Sequence, residues 1–386
     1  MNKLKKQNQS IIIAADIFPP DIGGPATYSQ KVAAELKNKG WQVKLICYSD
    51  KKIKDDLGFP VYRIIRGKFA PWRYLKYFLK LCQLARGVDI IYAMGPVAAG
   101  WPASWAAKLL GKKLVVKIVG DYAWEQARNL KLTDLGIDEF QTKDWHGKTG
   151  RLKRIETRVC FKADKVITPS EYLKKIVKGW SVEENKIQVI YNAIELKTVE
   201  PILKQENERW LISVARLVPW KGIDTIIKLM PEIIKEIPNL KFIVIGDGPE
   251  KPKLQEIIHS FGLENSVRLM GLMTHGDTLK YICASDLFIL NSGYEGLPHV
   301  LIEALSCNVP VVASDVGGVS EVIYCNELGL IFKYNNEREI LKVILDFFKT
   351  GAKSDWLLKS KERTSFFEQF SFPNMINKTE ELLKNL

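Results

Sequence analysis

Histidine and cysteine, the residues that most often bind metal ions or form disulfides, are few and scattered in this sequence. Its 386 residues include four histidines and six cysteines, and no two cysteines form a CxxC pair. A structural zinc site needs such residues clustered at short spacing, so the sequence argues against one. Most of the cysteines lie within apolar runs, which predicts reduced, buried thiols.

Long apolar runs are missing as well. No stretch approaches the roughly 20 apolar residues that a membrane-spanning helix requires. The basic first ten residues are followed by a short apolar run, 11–15, which ends at Asp16. Such a run predicts a first β-strand and not a signal peptide, so we expect a cytoplasmic protein.

The composition is globular, and the charge is unevenly distributed. Hydrophobic residues make up 46% of the chain and charged residues 26%, and 386 residues suffice for two domains. Residues 1–200 contain 36 Lys and Arg against 20 Asp and Glu, a net charge of +16, whereas residues 201–386 contain 21 against 24, a net charge of −3. The basic half predicts an anionic partner: a membrane surface, a lipid phosphate or nucleic acid. A basic proteome without a specific partner is the alternative.

Short β-branched runs alternate with helical patterns along the chain, which is typical of parallel sheets covered by helices. One series of strands runs from residues 10–15 to 187–190, and a second series begins at 211–214. The polar segment 195–209 between them has no clear period and predicts a linker. The sequence therefore predicts an α/β protein with two doubly wound, Rossmann-like domains that face a central cleft.

Loops with glycine or paired cations follow the first strand of each predicted domain. Gly23 and Gly24 precede a helix whose free N–H groups suit a phosphate or a sugar, and a simple tight turn is the alternative. Arg216 and Lys221 also precede a helix, where two cations would stabilise a diphosphate without a metal. Two solvated surface charges are the alternative there. The turn at Gly246 is either near a ligand or purely structural.

Two carboxylates follow in the segment 291–304. Glu295 lies in a loop, and Glu303 lies two turns into an otherwise apolar helix. Because a carboxylate on an apolar helix is costly without a partner, both side chains are expected to accept hydrogen bonds from sugar hydroxyls. Gly296 and the start of the helix would add amide donors. A buried structural glutamate is the alternative, and the later turn at Gly317-Gly318 either shapes the same site or is only structural.

Together these motifs resemble glycosyltransferase family four, the retaining group whose two Rossmann-like domains form the GT-B fold. The matching features, in the family's order over about residues 10–320, are Gly23-Gly24, ADKVITPS at 163–170, VIYNAI at 189–194, ARLVPWKG at 215–222, GDGPE at 246–250, and Glu295 with Glu303. The resemblance implies an acceptor-side domain at 1–195 and a donor-binding domain at 196–369. It also implies a C-terminal helix, about 370–386, that returns to the first domain.

The resemblance implies a role for each matching residue. Arg216 and Lys221 would bind the donor diphosphate and stabilise the leaving group. Glu295 would contact hydroxyls of the transferred sugar, and Glu303 would hold the donor ribose. The remaining donor contacts would come from Gly23, Gly24, Gly246, Gly296 and Leu297, and from Leu272 beside the base.

The sequence departs from the family's pattern at one point. Family members often carry a histidine after the strand equivalent to 114–119, and here Gly120 and Asp121 stand there. Asp121 is therefore a candidate catalytic residue that contacts the sugar or accepts a proton. The alternative is that Asp121 caps the following helix.

The function implied by the resemblance is a retaining hexosyltransferase that moves a sugar from a nucleotide-diphosphate donor to a glycan or lipid-linked acceptor. Because no DxD motif stands in a suitable loop, we expect neither a metal nor another cofactor. The alternatives are a GT-B epimerase or phosphorylase, and a nucleic-acid-binding protein that uses the basic half. No recognised nucleic-acid module is present, so we expect no nucleic acid.

The segment 68–86 is the strongest candidate for contact with an anionic partner. It holds five basic and five aromatic residues and no acid. Such a helix either lies on the inner face of an anionic membrane or packs its apolar side on the sheet like an ordinary helix.

Overall fold

The computed structural model describes residues 9–21, 23–67, 69–194, 199–350 and 360–386. The chain divides into two compact units: unit 1 comprises Met1–Tyr191 and Pro373–Leu386, and unit 2 comprises Asn192–Phe372. Each unit contains one parallel β-sheet with helices packed against it. The predicted α/β architecture of two Rossmann-like domains is confirmed.

The sheet of unit 1 has seven strands in the order β3-β2-β1-β4-β5-β6-β7. The strands are β1 (Ser10–Ala15), β2 (Gln42–Ser49), β3 (Val61–Ile65), β4 (Ile90–Met94), β5 (Lys113–Lys117), β6 (Lys165–Thr168) and β7 (Ile187–Val189). All residues of β1 and β4 are buried, as expected for central strands that are covered on both faces.

The helices of unit 1 come from both ends of the chain. They are α1 (Gly24–Asn38), α2 (Ala70–Ala85), α3 (Gly100–Leu110), α4 (Tyr122–Asn129), α5 (Ile137–Gln141), α6 (Gly147–Lys162), α7 (Glu171–Gly179) and the C-terminal helix, which runs over Phe372–Lys384. The C-terminal helix is held to the rest of unit 1 through Glu380, which accepts a hydrogen bond from Trp41 Nε1 and pairs with Lys39 at 3.3 Å.

The sheet of unit 2 has six strands in the order β10-β9-β8-β11-β12-β13. The strands are β8 (Arg209–Val214), β9 (Leu240–Ile245), β10 (Val267–Gly271), β11 (Leu287–Leu290), β12 (Val311–Ser314) and β13 (Leu330–Phe332). The helices are α8 (Ile223–Glu236), α9 (Lys251–Ser260), α10 (His275–Ala284), α11 (His299–Ser306), α12 (Val319–Val322), α13 (Glu337–Thr350) and α14 (Ser360–Gln369), so the C-terminal helix is α15.

Both sheets reverse their strand order at one point. In unit 1 the reversal lies between β1 and β4, and in unit 2 it lies between β8 and β11. Doubly wound sheets bind ligands beyond the carboxyl ends of the strands at such a switch point. The loops that follow these four strands are therefore where each unit offers a site.

One expectation about the cysteines is wrong. Cys283 in α10 and Cys307 at the end of α11 form a disulfide, whereas the sequence predicted reduced thiols throughout. The two residues are 24 positions apart, and neither lies in a CxxC motif. Spacing therefore gave no sign of the pairing, which depends on α10 and α11 lying side by side.

Among the described residues, no helix combines the length and the apolar character that a bilayer crossing requires.

Candidate functional site

Arg216 and Lys221 lie on the loop that follows β8, at the switch point of unit 2. The buried side chains of Leu217 and Val218 anchor this loop, and Leu217 N donates to the Asp247 carbonyl oxygen at 3.0 Å. Arg216 is exposed, whereas Lys221 is half-buried. Both cations are thus positioned where a doubly wound sheet binds its ligand.

Gly246, which follows β9, supports this loop from the neighbouring strand. Its φ is +137°, and a Cβ at this position would collide with the carbonyl oxygen of Ala215. The close approach of the two backbones therefore requires glycine. The glycine at position 246 is therefore explained by backbone packing, without a ligand contact. The same packing holds the start of the Arg216 loop in place.

Lys221 and Glu295 form an ion pair, although the sequence assigned them to different parts of a ligand. Lys221 Nζ lies 2.5 Å from Glu295 Oε1, and the two side chains are 17% and 13% exposed. Gly293 N donates to the Trp220 carbonyl oxygen at 2.7 Å, which ties the loop after β11 to the loop after β8. The switch point therefore holds a cation and an anion in direct contact.

An amide network that the sequence analysis missed fixes the end of the β8 loop. Asn291, fully buried after β11, donates through Nδ2 to the Gly222 carbonyl oxygen at 3.0 Å and to Asn335 Oδ1 at 2.8 Å. Thr225 Oγ1 donates to the same Asn335 oxygen, and Asn335 N donates back to Asn291 Oδ1. Because Gly222 follows Lys221 directly, this network sets the position of Lys221. The polar Asn291 at the end of an apolar strand was the available signal.

Glu303 has a protein partner, as its position on an apolar helix requires. Its Oε1 lies 3.0 Å from His275 Nε2, and the Glu303 side chain is only 14% exposed. His275 begins α10, whose N-cap Thr274 accepts a hydrogen bond from Asp277 N. Nothing in the sequence indicated this contact, because His275 belongs to no histidine cluster and lies 28 positions before Glu303.

The loop at Glu295 and Gly296 is braced from behind by the turn after β12. Gly317 has a φ of +56°, and a Cβ there would collide with the Glu295 carbonyl oxygen. Gly318 N donates to that oxygen at 2.9 Å. The Gly-Gly turn therefore shapes the loop that carries Glu295, and Leu297 continues the loop toward α11.

Leu272 lies directly after β10 and is 71% exposed. With Thr274 and Tyr281 it lines a shallow cavity of about 400 Å³ beside the start of α10. An exposed apolar side chain at this edge of the sheet offers a surface on which a flat ring can lie.

In unit 1, Gly23 and Gly24 form the start of α1. Gly23 is the N-cap, and its carbonyl oxygen accepts from Ala26 N and Thr27 N. A side chain at Gly24 would meet open space. Packing within the unit therefore does not require glycine at position 24. Close approach of a ligand to the backbone is a reason for glycine that remains open.

Asp121 is fully buried and uses both of its carboxylate oxygens within unit 1. Oδ1 accepts from Trp124 N at 2.7 Å, which makes Asp121 the N-cap of α4, and Oδ2 accepts from Gln141 Nε2 at 2.7 Å. Burial and the neighbouring Asp121 raise the pKa of Glu156 well above its usual range. These contacts favour the capping alternative, because a sugar or a proton would have to displace them to reach Asp121.

Across the described ranges, no three His, Cys, Asp or Glu side chains converge on a position that would hold a metal ion. The expectation of metal-independent chemistry stays a prediction.

Comparison with known proteins agrees with the fold and with the motifs. A family described as "Glycosyltransferase Family 4" matches residues 22–198, and one described as "Glycosyl transferases group 1" matches residues 195–363. A glycosyltransferase of Methanocaldococcus jannaschii described as uncharacterized is 33% identical over 44% of this chain, and the match spans 44% of its own length. The alpha-monoglucosyldiacylglycerol synthase of Streptococcus pneumoniae is 24% identical over 86% of this chain and 76% of that protein.

Among solved structures, the Anabaena protein HepE, crystallised with UDP, has a TM-score of 0.76 at 20% sequence identity. The superposition covers 98% of this chain and all of HepE, so the two proteins share the GT-B fold. Since the two family matches together cover residues 22–363, the chain belongs to the family-four glycosyltransferases.

Proposed function

We propose that the protein transfers a sugar from a nucleotide-diphosphate donor to a hydroxyl group of an acceptor, in the synthesis of a glycan or glycolipid. Unit 2 binds the donor. The observation that carries this proposal is the Lys221–Glu295 ion pair at the switch point of unit 2. It joins a cation suited to the diphosphate and a carboxylate suited to sugar hydroxyls at one point.

Donor binding replaces the ion pair with two ligand contacts. Lys221 turns to the diphosphate together with the exposed Arg216, and Glu295 is left to accept hydrogen bonds from the sugar. Negative charge develops on the departing β-phosphate as the glycosidic bond breaks, and the two cations stabilise that charge. Lys221 exchanges one anionic partner for another, and Glu295 exchanges the ammonium for neutral hydroxyl donors, so both side chains keep hydrogen-bond partners.

The nucleoside is held at the other end of the same sheet edge. His275 engages Oε1 of Glu303, and Oε2 accepts a hydrogen bond from a ribose hydroxyl. The base lies against the exposed Leu272. Because HepE was crystallised with UDP, uridine diphosphate sugars are the first donors to test.

We further propose that the configuration at the anomeric carbon is retained and that no metal takes part. Membership in family four supports retention, and the two cations would supply the charge that a metal would otherwise provide. The anomeric configuration of the first product formed, read by proton NMR, tests the first point. Turnover after exhaustive treatment with a chelator tests the second.

The acceptor is proposed to be lipid-linked, with unit 1 resting on an anionic membrane. Helix α2 buries Tyr77 and Leu81 in the core, as an ordinary helix would, yet Trp72 and Leu79 on its outer side are 56% and 58% exposed. Lys76 lies over the ring of Trp72, so basic and apolar groups alternate on the exposed side. The similarity to a synthase of a glucosylated diacylglycerol supports a lipid acceptor.

The decisive experiment measures donor turnover in Arg216→Ala and Lys221→Ala variants. Each variant is expected to lose about 10²- to 10³-fold in kcat, because each removes a group that stabilises the leaving phosphate. Lys228→Ala is the matched control, since Lys228 is an exposed lysine of α8 that pairs with Asp224 at 3.2 Å. Near-normal rates in the first two variants, with folding intact, would contradict the proposed function.

A further inference from the structure

Helices α10 and α11 are joined at two points, and only one of them has a part in the proposed function. At the start of α10, His275 Nε2 lies 3.0 Å from Glu303 Oε1, the contact assigned above to nucleoside binding. Near the end of the same helix, Cys283 is bonded to Cys307 through the disulfide. The disulfide therefore lies in the same helix that carries a proposed donor contact.

The spacing of these residues places both links on one pair of helix faces. In α10, His275, Leu279 and Cys283 follow one another at intervals of four residues. Glu303 and Cys307 are separated by the same interval at the end of α11. Residues at this spacing lie above one another on one side of a helix. Cys307 Sγ also lies 3.9 Å from the Leu279 carbonyl oxygen, so the two links belong to one interface.

The main chain connects Cys307 to Glu303 directly. Cys307 N donates to the Glu303 carbonyl oxygen at 3.1 Å, and Ser306 Oγ donates to the same oxygen at 2.6 Å. These bonds close the last turn of α11, in which Cys307 is the C-cap. A displacement of Cys307 therefore moves the residue whose carboxylate is proposed to hold the ribose.

Helix α10 also forms one wall of the cavity proposed to receive the base. Tyr281 of α10 and Thr274, its N-cap, line that cavity together with Leu272. The ring of Tyr281 stacks on Trp210 of β8, with the ring centroids 5.9 Å apart. A shift of α10 along α11 would therefore change the position of His275 and the shape of this cavity together.

The disulfide is within reach of a reductant. Cys283 and Cys307 are both half-buried, whereas the free cysteines Cys47 and Cys160 are buried. The thiolate of a small dithiol bonds to one of the two sulfurs, and the other leaves as a thiolate that takes up a proton. The second thiol of the dithiol then releases the first cysteine, so two electrons pass to the protein and the dithiol becomes a cyclic disulfide. A disulfide such as oxidised glutathione restores the bond by the same exchange and takes the two electrons back.

We propose that the Cys283–Cys307 disulfide is a reversible redox switch that sets the affinity of unit 2 for its nucleotide. In the oxidised form α10 is fixed against α11, and His275 holds Glu303 in place for the ribose. Reduction removes the covalent link, so nucleotide binding must order an interface that the disulfide otherwise holds in position. This inference rests on the proposed function, because it names the regulation of the same donor site.

The first test compares UDP binding by the oxidised and the reduced full chain. Isothermal titration is expected to show a dissociation constant about fivefold higher after treatment with dithiothreitol, because the reduced site is less preorganised. The double variant Cys283→Ser with Cys307→Ser should bind UDP as the reduced wild type does, with or without dithiothreitol. Cys325→Ser, which removes a free cysteine of the same unit, is the control and should respond to dithiothreitol as the wild type does.

The second test follows the ring of His275 without any nucleotide. The chain contains four histidines, so their ring-proton signals in NMR spectra are few, and His275→Ala identifies the signal of His275. Reduction is expected to shift that signal, because the contact with Glu303 loosens. The signal of His259, which pairs with Glu264 outside this interface, should stay unchanged.

The two tests separate the switch from the donor site itself. Equal UDP affinity of the oxidised and the reduced wild type, or a His275 signal that reduction does not move, would overturn the switch. Equal labelling of the cysteines by a maleimide before and after reduction would also overturn it, since the disulfide would then be absent. A shifted His275 signal in a protein that binds UDP in neither form supports the link between the disulfide and Glu303 and counts against the donor site. If the double variant fails to fold, the oxidised and reduced wild type still provide the comparison.

Discussion

Glu303 and His275 show how a side chain outside the motifs can control one inside them. The imidazole holds one carboxylate oxygen of Glu303, and His275 is itself 46% exposed in its side chain. We predict that His275→Ala raises the KM for the donor about tenfold and leaves kcat nearly unchanged, because uniform binding of the nucleoside is lost and the leaving-group contacts are not. Steady-state kinetics with varied donor concentration measures the split.

A matched control exists in the same unit. His259 lies 2.8 Å from Glu264 in an exposed pair that has no part in the site. His259→Ala should leave both constants unchanged. A fall in kcat for His275→Ala at constant KM would show that His275 acts on the chemical step and not on donor binding.

Burial raises the pKa of Asp16, which predicts how stability depends on pH. In the unfolded chain an aspartate titrates near 3.8, whereas folded Asp16 titrates at about 7. The folded state therefore binds this proton more tightly, so the contribution of Asp16 to stability falls as the pH rises from about 4 to about 7 and is constant above that. Asp16→Asn removes this loss. Its stability relative to the wild type should be greater at pH 8 than at pH 5, by at most about 2.7 kcal/mol, which corresponds to the roughly two pH units between 5 and the folded pKa.

Thermal unfolding of both proteins at the two pH values tests this expectation. An equal difference in the unfolding midpoint at pH 5 and pH 8 would mean that Asp16 is not buried as a raised-pKa carboxyl. Arg66 faces the same carboxyl, so Arg66→Gln should enlarge the effect of pH.

The places of the candidate site residues in the fold were predictable from sequence only where a strand or helix pattern carried them. Arg216, Lys221, Glu295 and Glu303 follow strands or lie on helices that their apolar neighbours define. Their partners were not predictable, since Lys221 and Glu295 are 74 positions apart and His275 and Glu303 are 28 apart. Pairings over such separations are set by the packing of loops, which no local pattern encodes.

At the level of elements, the strands were predicted best. Strands β1, β7 and β8 lie where the sequence predicted the start and the end of the first series and the start of the second, because buried parallel strands are nearly continuous apolar runs. The short strand β13 was not predicted. Strand β13 has only three residues, which is too short for a recognisable apolar run.

The disulfide between α10 and α11 has consequences for unit 2 as a folded element. It closes a loop between positions 24 residues apart, which in the chain-entropy model stabilises the folded state by about 3 kcal/mol. We predict that Cys307→Ser lowers the unfolding temperature without reductant, and that dithiothreitol abolishes the difference from the wild type. Calorimetry under both conditions measures it.

Cys325→Ser is the appropriate control, because Cys325 is a free cysteine of the same unit. It should unfold like the wild type in both conditions. If Cys307→Ser and the wild type unfold alike without reductant, the disulfide does not form in solution.

For the molecule as a whole, the charge difference between the two halves bears on membrane binding. Residues 1–200 carry a net charge of +16, and the exposed apolar side of α2 lies in that half. We predict co-sedimentation with vesicles containing phosphatidylglycerol and little with phosphatidylcholine alone. Binding should weaken several-fold between about 0.1 M and 1 M salt, as the screening length shrinks from roughly 10 to 3 Å.

A double variant, Trp72→Ser with Leu79→Ser, should reduce this binding at all salt concentrations by removing apolar contact. Phe261→Ser is the control, since Phe261 is 50% exposed in unit 2. Equal binding to anionic and neutral vesicles would refute the electrostatic part of the proposal, and unchanged binding of the double variant would refute the part played by α2.

The glycine turn at residues 317 and 318 bears on how the proposed sugar preference of this protein can be altered by design. Both positions lie against main-chain carbonyl oxygens of the Glu295 loop, so any larger residue would displace that loop. A library that seeks a new donor should therefore keep Gly317 and Gly318 fixed and vary Leu297 in the same loop. Substitutions at the turn itself would mostly yield proteins in which Glu295 is displaced. Their loss of activity would then be mistaken for evidence that the site accepts no other sugar.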